Sequence, residues 1–268
     1  MPTANSAITN YTNKMIMDLW DDIAPGYYNY GRIDPDTDID KLTDLKQANE
    51  DMVQHIIKEL GINKDSHILE LGCGKGMYTV RIAEITGCRY TGVDLCKSYV
   101  ENDCKKWAAE HGVSEQGEFI IGDMTDLPAQ VRGRKYTHVL VLLAYVYVQN
   151  KLDIFLENVT DCCDKDTQVL LWGFNRLVDW SECQELEKHI KLGFPLLTRQ
   201  EMVEGVHRSK LKLTGLEDNT QYVIPGYKVM ERECRKRDPE LKQLTFPLWG
   251  RGLMGGKIEN IIYRLKLQ

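Results

Sequence analysis

The sequence is poor in features that mark three large classes of protein. No apolar run reaches the ~18 residues that span a bilayer, and residues 1–5 lack the charged and then apolar pattern of a signal segment. The eight cysteines include no C-x-x-C pair, which disfavours a disulfide scaffold or a thiol metal site. A net charge of −6 disfavours a polyanionic partner such as DNA or RNA. We therefore expect a cytoplasmic protein with reduced thiols and no metal site, nucleic-acid partner or membrane partner.

The chain does contain an alternation of short apolar runs with helical segments. Its 268 residues, 43% of them hydrophobic, suffice for one α/β domain with an appended cap. Nearly continuous apolar strands of this kind are typical of a mostly parallel sheet covered on both faces by helices. The predicted strands are 67–71, 89–94, 119–122, 137–143 and 167–174, and the predicted helices between them lie near 78–86, 97–111 and 153–161.

The segments outside this alternation predict a helical cap. Residues 8–60 have a helical pattern with one polar break at 34–38, where a proline and clustered acids interrupt it. We predict an N-terminal cap segment over 1–60 and a sheet domain over 61–268, with cap insertions near 175–210 and 221–256. Further helices are predicted at 179–191 and 227–237, and late strands at 211–216 and 258–267.

A glycine stands at every second position in Gly72-Cys73-Gly74-Lys75-Gly76, directly after the strand that ends in Glu70-Leu71. Glycines at such a turn can adopt positive φ and allow a ligand to lie against bare backbone. The helix that follows presents free N–H groups and its positive end to the same loop. The loop therefore predicts a site for a polar ligand.

Acidic residues follow the next two predicted strands. Asp94 ends the second strand about 20 residues after the first glycine, the spacing of an acid that binds ribose hydroxyls in βαβ nucleotide sites. Asp123 follows the third strand, where a carboxylate can accept from an exocyclic amine such as that of adenine. Together these features predict a nucleoside site, and the G-x-G-x-G spacing disfavours a nicotinamide or flavin cofactor, which favours G-x-G-x-x-G.

These motifs resemble those of the class I methyltransferases that use S-adenosylmethionine. The resemblance lies in Ile68 to Gly76, Gly92-Val93-Asp94 and Gly122-Asp123-Met124. Tyr28-Asn29-Tyr30-Gly31, followed by Leu45 to Ala48, is similar to the N-terminal segment of the small-molecule branch, which includes sarcosine and dimethylglycine, phosphoethanolamine, tocopherol and sugar methyltransferases. The resemblance extends over residues 18–174. It implies a Rossmann-like doubly wound α/β fold with a helical cap over the carboxyl ends of the strands, S-adenosylmethionine as cofactor and a small-molecule acceptor.

The resemblance also implies roles for individual residues. Gly72, Gly74 and Gly76 would line the methionine moiety, and Glu70 would help to orient its amino group. Asp94 would hold the ribose hydroxyls. Leu95 would lie beside the adenine, Asp123 would accept from its amino group, and the Met124 backbone N–H would reach the ring. The Leu143 carbonyl would accept from the methionine amino group.

Two departures from the family pattern weaken any mechanism that borrows a histidine base. Relatives often have histidine in the segment 143–151, where this chain has Tyr147, and also at the position of Asn29. Ring faces attract cations within ~6 Å, so the aromatic residues near the predicted site favour an amine acceptor. Tyr147, with Tyr28 behind it, is the predicted catalytic residue, although a tyrosine near its usual pKa of ~10 is a poor base. The other aromatic candidates are Tyr27, Tyr30, Tyr145 and Trp180.

Several alternatives remain open at the level of sequence. The acceptor atom could be oxygen or carbon, the chain could be a catalytically silent module that binds S-adenosylmethionine, and a weaker alternative is an oxidoreductase. A basic cluster between Lys228 and Arg237 is interpreted first as a solvated helix face balanced by Glu231 and Glu233, and second as an anion site.

Overall fold

The computed structural model of the protein describes residues 14–183, 186, 194–240 and 247–268. Seven strands form one sheet in the order β3-β2-β1-β4-β5-β7-β6. They are β1 His67–Leu71, β2 Arg89–Asp94, β3 Gly117–Ile121, β4 His138–Leu142, β5 Gln168–Arg176, β6 Leu211–Asp218 and β7 Ile258–Leu267. The helices of the described residues are α1 Lys14–Ile23, α2 Lys46–Leu60, α3 Met77–Thr86, α4 Lys105–Glu110, α5 Leu152–Asp161, α6 Arg199–Arg208, α7 Thr220–Arg237 and α8 Pro247–Met254.

The strands β1 to β5 pair with one another in parallel. β1 pairs with β2 and β4, β2 also pairs with β3, and β4 also pairs with β5. Every residue of β4 is buried, as is every residue of β1 after His67, because helices cover both faces of a parallel sheet. The predicted fold class is thereby confirmed, and each predicted strand lies within two residues of an observed one.

The chain divides into two compact units. The first, which we call the glycine-loop unit, comprises Val53–Gly173, Arg199–Glu217 and Ile262–Gln268. The second, which we call the aromatic unit, has its described residues within Met1–Met52, Phe174–Thr198 and Asp218–Ile261. The predicted cap and its boundaries remain predictions. Among the described residues, no helix combines the length and the apolar character that crossing a bilayer requires.

The N-terminal prediction of helix with a single break at 34–38 is wrong in its extent. Helix α1 ends at Ile23, and α2 begins only at Lys46, with a 3-10 turn at Ile39–Lys41 between them. Gly26 and Gly31 have φ values of 80° and 68° in this stretch. A Cβ on Gly31 would lie 2.3 Å from the Ala48 carbonyl carbon. Such a close backbone approach requires glycine and is incompatible with a continuous helix.

The remaining helix predictions differ from the structure for identifiable reasons. Helix α7 begins at Thr220 rather than at 227, because Val223, Tyr227, Met230 and Cys234 bury one stripe that continues past Pro225. The predicted helix 97–111 starts as a π-helical turn, Tyr99–Cys104, before α4. The prediction for 179–191 corresponds to a 3-10 turn at Trp180–Cys183 and otherwise falls largely outside the described residues. Helices α6 and α8 were not predicted, and α6 buries only Met202, Gly205 and Val206, which is a weak sequence pattern.

Candidate cofactor site

The glycine loop, residues 72–76, connects β1 to α3 with all three glycines at positive φ. The φ values are 75° at Gly72, 55° at Gly74 and 83° at Gly76, which caps the amino end of α3. The backbone N–H of Gly72 donates to the Val93 carbonyl at 2.7 Å, and that of Cys73 to the same oxygen at 3.1 Å. The loop is therefore held against the end of β2 by main-chain hydrogen bonds.

The glycines serve two different purposes. A Cβ on Gly72 would lie 2.4 Å from the Ala144 Cβ and 3.0 Å from the Met124 methyl carbon, so close packing requires glycine there. A Cβ on Gly74 would meet no heavy atom of the described residues within 4 Å. The loop therefore packs tightly on one side and is open at Gly74, where a ligand can lie along the backbone.

Asp94 joins the loop to the ends of two strands. Its Oδ2 accepts from the Gly74 N–H at 2.8 Å, and its Oδ1 accepts from the Cys96 N–H at 2.8 Å. Its carbonyl accepts from the Gly122 N–H at 2.9 Å. Burial raises the pKa of the Asp94 carboxyl, and the two backbone hydrogen bonds oppose this shift. Asp94, the residue predicted to bind the ribose, therefore lies beside the loop with its carboxylate held in one orientation.

Asp123 and Met124 follow the end of β3, and the Met124 side chain packs beside the same loop. Asp123 Oδ1 accepts from both the backbone N–H and the hydroxyl of Thr125, at 2.7 and 2.8 Å. Its Oδ2 receives no hydrogen bond from the described residues. The Met124 carbonyl accepts from Asn158 at 3.0 Å, and its side chain approaches Gly72 as described above. These contacts leave one carboxylate oxygen of Asp123 available to a ligand.

Glu70 lies beneath the loop. It is 2% exposed and accepts a hydrogen bond from the hydroxyl of Thr79, which lies in the first turn of α3. Burial raises the pKa of Glu70 to about 8, although the Thr79 hydrogen bond opposes this shift. Burial therefore favours the protonated form of this side chain. Its role in orienting an amino group stays a prediction.

Two further predicted residues have unusual environments at strand ends. Leu143, directly after β4, has a φ of 58°, and its N–H donates to the Trp172 carbonyl at 2.6 Å. Non-glycine residues at positive φ are strained and concentrate at functional sites.

Leu95 is 38% exposed beside Asp94, and Ile121, which pairs with Asp94 in register, is 42% exposed. Ile121 is thus a further exposed apolar side chain at this edge of the sheet, outside the predicted site residues.

The two predicted catalytic tyrosines belong to different units. Tyr147 lies in the glycine-loop unit, half-buried on the 3-10 turn Tyr145–Tyr147 that follows β4. Tyr28 lies in the aromatic unit and has a φ of 52°. Its ring stacks on Trp20 with centroids 5.4 Å apart, and its hydroxyl donates a hydrogen bond to the Met17 sulfur. Their catalytic roles stay predictions.

Most other aromatic candidates are core residues. Tyr27, Tyr30 and Tyr145 are at most 6% exposed. The Tyr30 ring stacks on Tyr227 with centroids 3.6 Å apart, and a Cβ on Gly173 would lie 2.3 Å from the Tyr145 ring. These rings therefore stabilise the interiors of their own units.

The basic cluster near the end of α7 is paired with carboxylates. Arg235 and Lys236 contact Glu231 and Glu233 respectively, each at 2.8 Å, and Arg237 bonds to Asp22. Arg232 bonds to Glu233 at 2.9 Å and to backbone carbonyls. These ion pairs agree with the interpretation as a balanced helix face.

The comparison with protein families matches the part of the chain that contains this site. Residues 68–166 match the model described as a methyltransferase domain. Over this segment, which is less than half of the chain, the sequence is similar to methyltransferase domains. The predicted relationship to the class I methyltransferases that use S-adenosylmethionine is thereby confirmed, and S-adenosylmethionine is the cofactor of that class.

Curated relatives share only part of their length with the chain. It is 25% identical over 130 residues to sphingolipid C9-methyltransferase 2 of Gibberella zeae, covering 48% of this chain and 25% of that protein. It is 24% identical over 141 residues to pavine N-methyltransferase of Thalictrum flavum, covering 51% of this chain and 34% of that protein. The aligned part thus spans well under two thirds of these relatives.

A solved structure matches nearly the whole chain in fold. The geranyl diphosphate C-methyltransferase of Streptomyces coelicolor, solved with Mg²⁺, geranyl diphosphate and S-adenosyl-L-homocysteine, has a TM-score of 0.78 and 15% identity. The match covers 99% of this chain and 97% of that one. At this identity the likeness concerns the fold.

Proposed function

We propose that the protein transfers a methyl group from S-adenosylmethionine to a small-molecule acceptor. One observation carries this proposal: the Gly74 N–H is bonded to Asp94 Oδ2 at 2.8 Å, at the open side of a loop that also packs against Met124. A nucleoside would meet bare backbone and oriented carboxylates in one place. Ligands of open parallel sheets bind at the carboxyl ends of the strands, where these groups lie.

The residues present fit the chemical groups of this cofactor. Asp94 retains lone pairs for the ribose hydroxyls, Asp123 Oδ2 can accept from the adenine amino group, and the exposed Leu95 side chain offers an apolar surface to the ring. The glycines would receive the methionine moiety, with the Leu143 carbonyl and Glu70 towards its amino group. When bound, S-adenosylmethionine supplies an electrophilic methyl group on a sulfonium.

The chain's contribution to such a transfer is mainly positioning. The loop is fixed by hydrogen bonds to Val93, and Asp94 is fixed by Gly74 and Cys96, so a bound donor would be held in one orientation. Alignment of an acceptor with a bound methyl group and exclusion of water can supply most of the acceleration. The proposal therefore needs no strong acid or base.

Within this function, we favour an amine nitrogen as the acceptor. Tyr147 and Tyr28 are half-buried, unlike the core rings, and their faces suit a cationic amine or its methylated product. The Tyr147 hydroxyl would guide the proton that the amine loses. The similarity to a pavine N-methyltransferase supports this choice.

Two other functions have specific support. The sphingolipid and geranyl diphosphate enzymes are C-methyltransferases by name, which favours carbon methylation as the second candidate, with oxygen as a variant. The catalytically silent module is the third candidate, since the loop and Asp94 would serve binding alone equally well.

Calorimetric titration with S-adenosyl-L-homocysteine, followed by incubation of metabolite extracts with isotopically labelled donor, tests the proposal. We expect binding and one or more labelled products, whose labelled atom distinguishes nitrogen from carbon or oxygen. Binding without any labelled product would favour the silent module. Absence of binding by a folded sample would refute the proposed function.

We also propose a cytoplasmic setting without nucleic-acid or membrane partners. All eight cysteines are free thiols, and seven of them are buried, as suits a reducing compartment. The net charge of −6 is unfavourable for binding to polyanions.

A further inference from the structure

Two cysteine thiols converge on one atom of the glycine loop. The Cys104 Sγ lies 3.3 Å from the Gly74 carbonyl oxygen, and the Cys73 Sγ lies 4.0 Å from the same oxygen. The neighbouring Cys104 is also the largest cause of the raised pKa of the Cys73 thiol. Residues 31 positions apart in the sequence are thus placed side by side under the backbone that would receive the cofactor.

The space for these sulfur atoms depends on neighbouring glycines. A Cβ on Gly76 would lie 2.9 Å from the Cys104 Sγ, and a Cβ on Gly92 would lie 3.1 Å from the Cys73 Sγ. Cys104 is the last residue of the π-helical turn Tyr99–Cys104, and neither thiol is more than 7% exposed. The loop is open at Gly74, the residue whose carbonyl both thiols approach.

The adjacent residues Cys162 and Cys163 provide a contrast. The Cys163 Sγ lies 3.1 Å from the Val159 carbonyl oxygen, whereas the Cys162 Sγ lies 4.0 Å from that of Val131. Their sulfur atoms therefore contact different parts of the backbone, although the residues are neighbours in the sequence. Proximity of two thiols to a single functional element is a property of Cys73 and Cys104.

We propose that Cys73 and Cys104 form an oxidisable thiol pair whose disulfide switches off cofactor binding at the glycine loop. With a peroxide as oxidant, one thiolate attacks a peroxide oxygen, which gives a sulfenic acid and water or an alcohol. The second thiol then attacks the sulfenic sulfur and releases water. The two cysteines lose two electrons and two protons, the peroxide is reduced, and one S–S bond forms.

Formation of the bond would change the loop directly. The two sulfur atoms must approach to about 2.05 Å, and the Cys104 S–H that contacts the Gly74 carbonyl is lost. Cys73 would be drawn towards Cys104, which disturbs the Gly74 N–H that donates to Asp94. The switch rests on the proposed function, since it acts on cofactor binding. We expect oxidation to weaken S-adenosyl-L-homocysteine binding at least tenfold.

The coupling between the two events must be reciprocal. A ligand that binds the reduced protein more tightly than the oxidised one also stabilises the reduced form. In a dithiothreitol redox buffer, saturating S-adenosyl-L-homocysteine should therefore shift the equilibrium between dithiol and disulfide at least tenfold towards the dithiol. The neighbouring Cys104 thiol and burial both raise the pKa of the Cys73 thiol, so oxidation should accelerate as the pH increases.

Peptide mapping of the full chain provides the test. Trypsin cleavage after lysine and arginine releases Cys73 in peptide 65–75 and Cys104 in peptide 98–105, and neither peptide contains another cysteine. After treatment with hydrogen peroxide, we expect these peptides as one linked species, two hydrogen atoms lighter than their sum. Binding should be lost in parallel and restored by dithiothreitol.

Variants separate this switch from general oxidative damage. Cys104→Ala should retain its own starting affinity for S-adenosyl-L-homocysteine after peroxide treatment, whereas the matched control Cys234→Ala should remain as sensitive as the unchanged protein. Cys104→Ser is the second variant if the alanine variant does not fold.

The outcomes also separate this inference from the proposed function. A reduced protein that does not bind S-adenosyl-L-homocysteine would refute the proposed function, whatever its thiols do. A protein that binds it but yields no linked 65–75 and 98–105 peptides would refute the thiol pair. Linked peptides with unchanged binding would refute the switch.

Discussion

The two compact units are stabilised by different kinds of contact. In the glycine-loop unit, residues close to strand ends are joined by backbone hydrogen bonds, such as those of Asp94 with Gly74 and Cys96. In the aromatic unit, rings distant in sequence stack on each other, as Tyr30 does on Tyr227, and Phe174 contacts Trp249 with centroids 4.5 Å apart. The comparison teaches that the candidate cofactor chemistry depends on backbone geometry, whereas aromatic content mainly reflects core packing.

The largest expected effect is that of a side chain on Gly72. Gly72→Ala would place a Cβ 2.4 Å from the Ala144 Cβ at a φ of 75°. Overpacking and positive φ together should cost roughly 3 kcal/mol in the free energy of unfolding. Displacement of the loop by ~1 Å should weaken S-adenosyl-L-homocysteine binding about 100-fold. Urea unfolding and calorimetry measure the two effects.

The matched control is Gly133→Ala. Gly133 also has positive φ, at 73°, but a Cβ there would meet no heavy atom within 4 Å in the part of the chain that the structure describes. Its cost should be limited to backbone strain of about 1 kcal/mol, without loss of binding. Equal effects of the two substitutions would show that close packing at Gly72 is unimportant.

Truncation of a ring tests the other unit. Tyr227→Ala removes a ring that is 1% exposed and stacks on Tyr30, so we expect a loss of roughly 3 kcal/mol in the free energy of unfolding. Tyr227→Phe retains the ring and its stack on Tyr30, so we expect it to be much more stable than the alanine variant. Urea unfolding measures both variants. If the alanine variant were as stable as the phenylalanine variant, the ring would have no core role.

Asp94→Asn tests the carboxylate of the glycine-loop unit. An amide cannot accept from both the Gly74 and Cys96 N–H groups, because only one of its two polar atoms is an acceptor. We expect donor binding to weaken about 10- to 100-fold, or roughly 1.4 to 2.7 kcal/mol, in calorimetric titrations. Asp65→Asn, whose side chain is 79% exposed, is the control and should bind normally.

Tyr147→Phe separates binding from turnover. If the hydroxyl guides a proton from the acceptor, its removal should lower kcat about tenfold and leave the affinity for S-adenosyl-L-homocysteine unchanged. The phenyl ring retains the contact area, so a structural role alone would not lower kcat. An unchanged kcat would exclude Tyr147 from the mechanism.

A change in the pH dependence of stability is expected at Glu70. The folded state raises its pKa to about 8 from an ordinary value of 4.5, so the folded chain holds a proton that the unfolded chain releases between these values. The free energy of unfolding should therefore fall as the pH rises from about 4.5 to about 8. Glu70→Gln should flatten this fall in urea unfolding at several pH values. The same slope in both proteins would contradict a buried protonated Glu70.

Sequence reasoning was most successful where a local pattern determines local structure. The limits of β1 and β2 agree with prediction because apolar runs ended by Gly72 and Asp94 specify a buried strand and its turn. It was least successful between residues 24 and 45, where the close approach of Gly31 to Ala48 replaces a helix. Nothing in the local pattern indicates that contact.

The site shows the same division. Asp94 and Asp123 were predicted from their spacing, whereas Ile121 was not predicted and Cys104 was not connected with the loop. The position of Cys104 depends on a π-helical turn, which shifts every later side chain around the helix axis relative to a regular α-helix.

The sequence by itself determined which motif follows which strand along the chain: the glycine loop after β1, Asp94 at the end of β2 and Asp123 after β3. These features depend on residue type and short-range spacing. Only the tertiary structure decided which thiols meet under Gly74, which rings are buried, and how far the Glu70 pKa rises. Those properties depend on contacts between residues distant in the chain, and on the exclusion of water that such contacts produce.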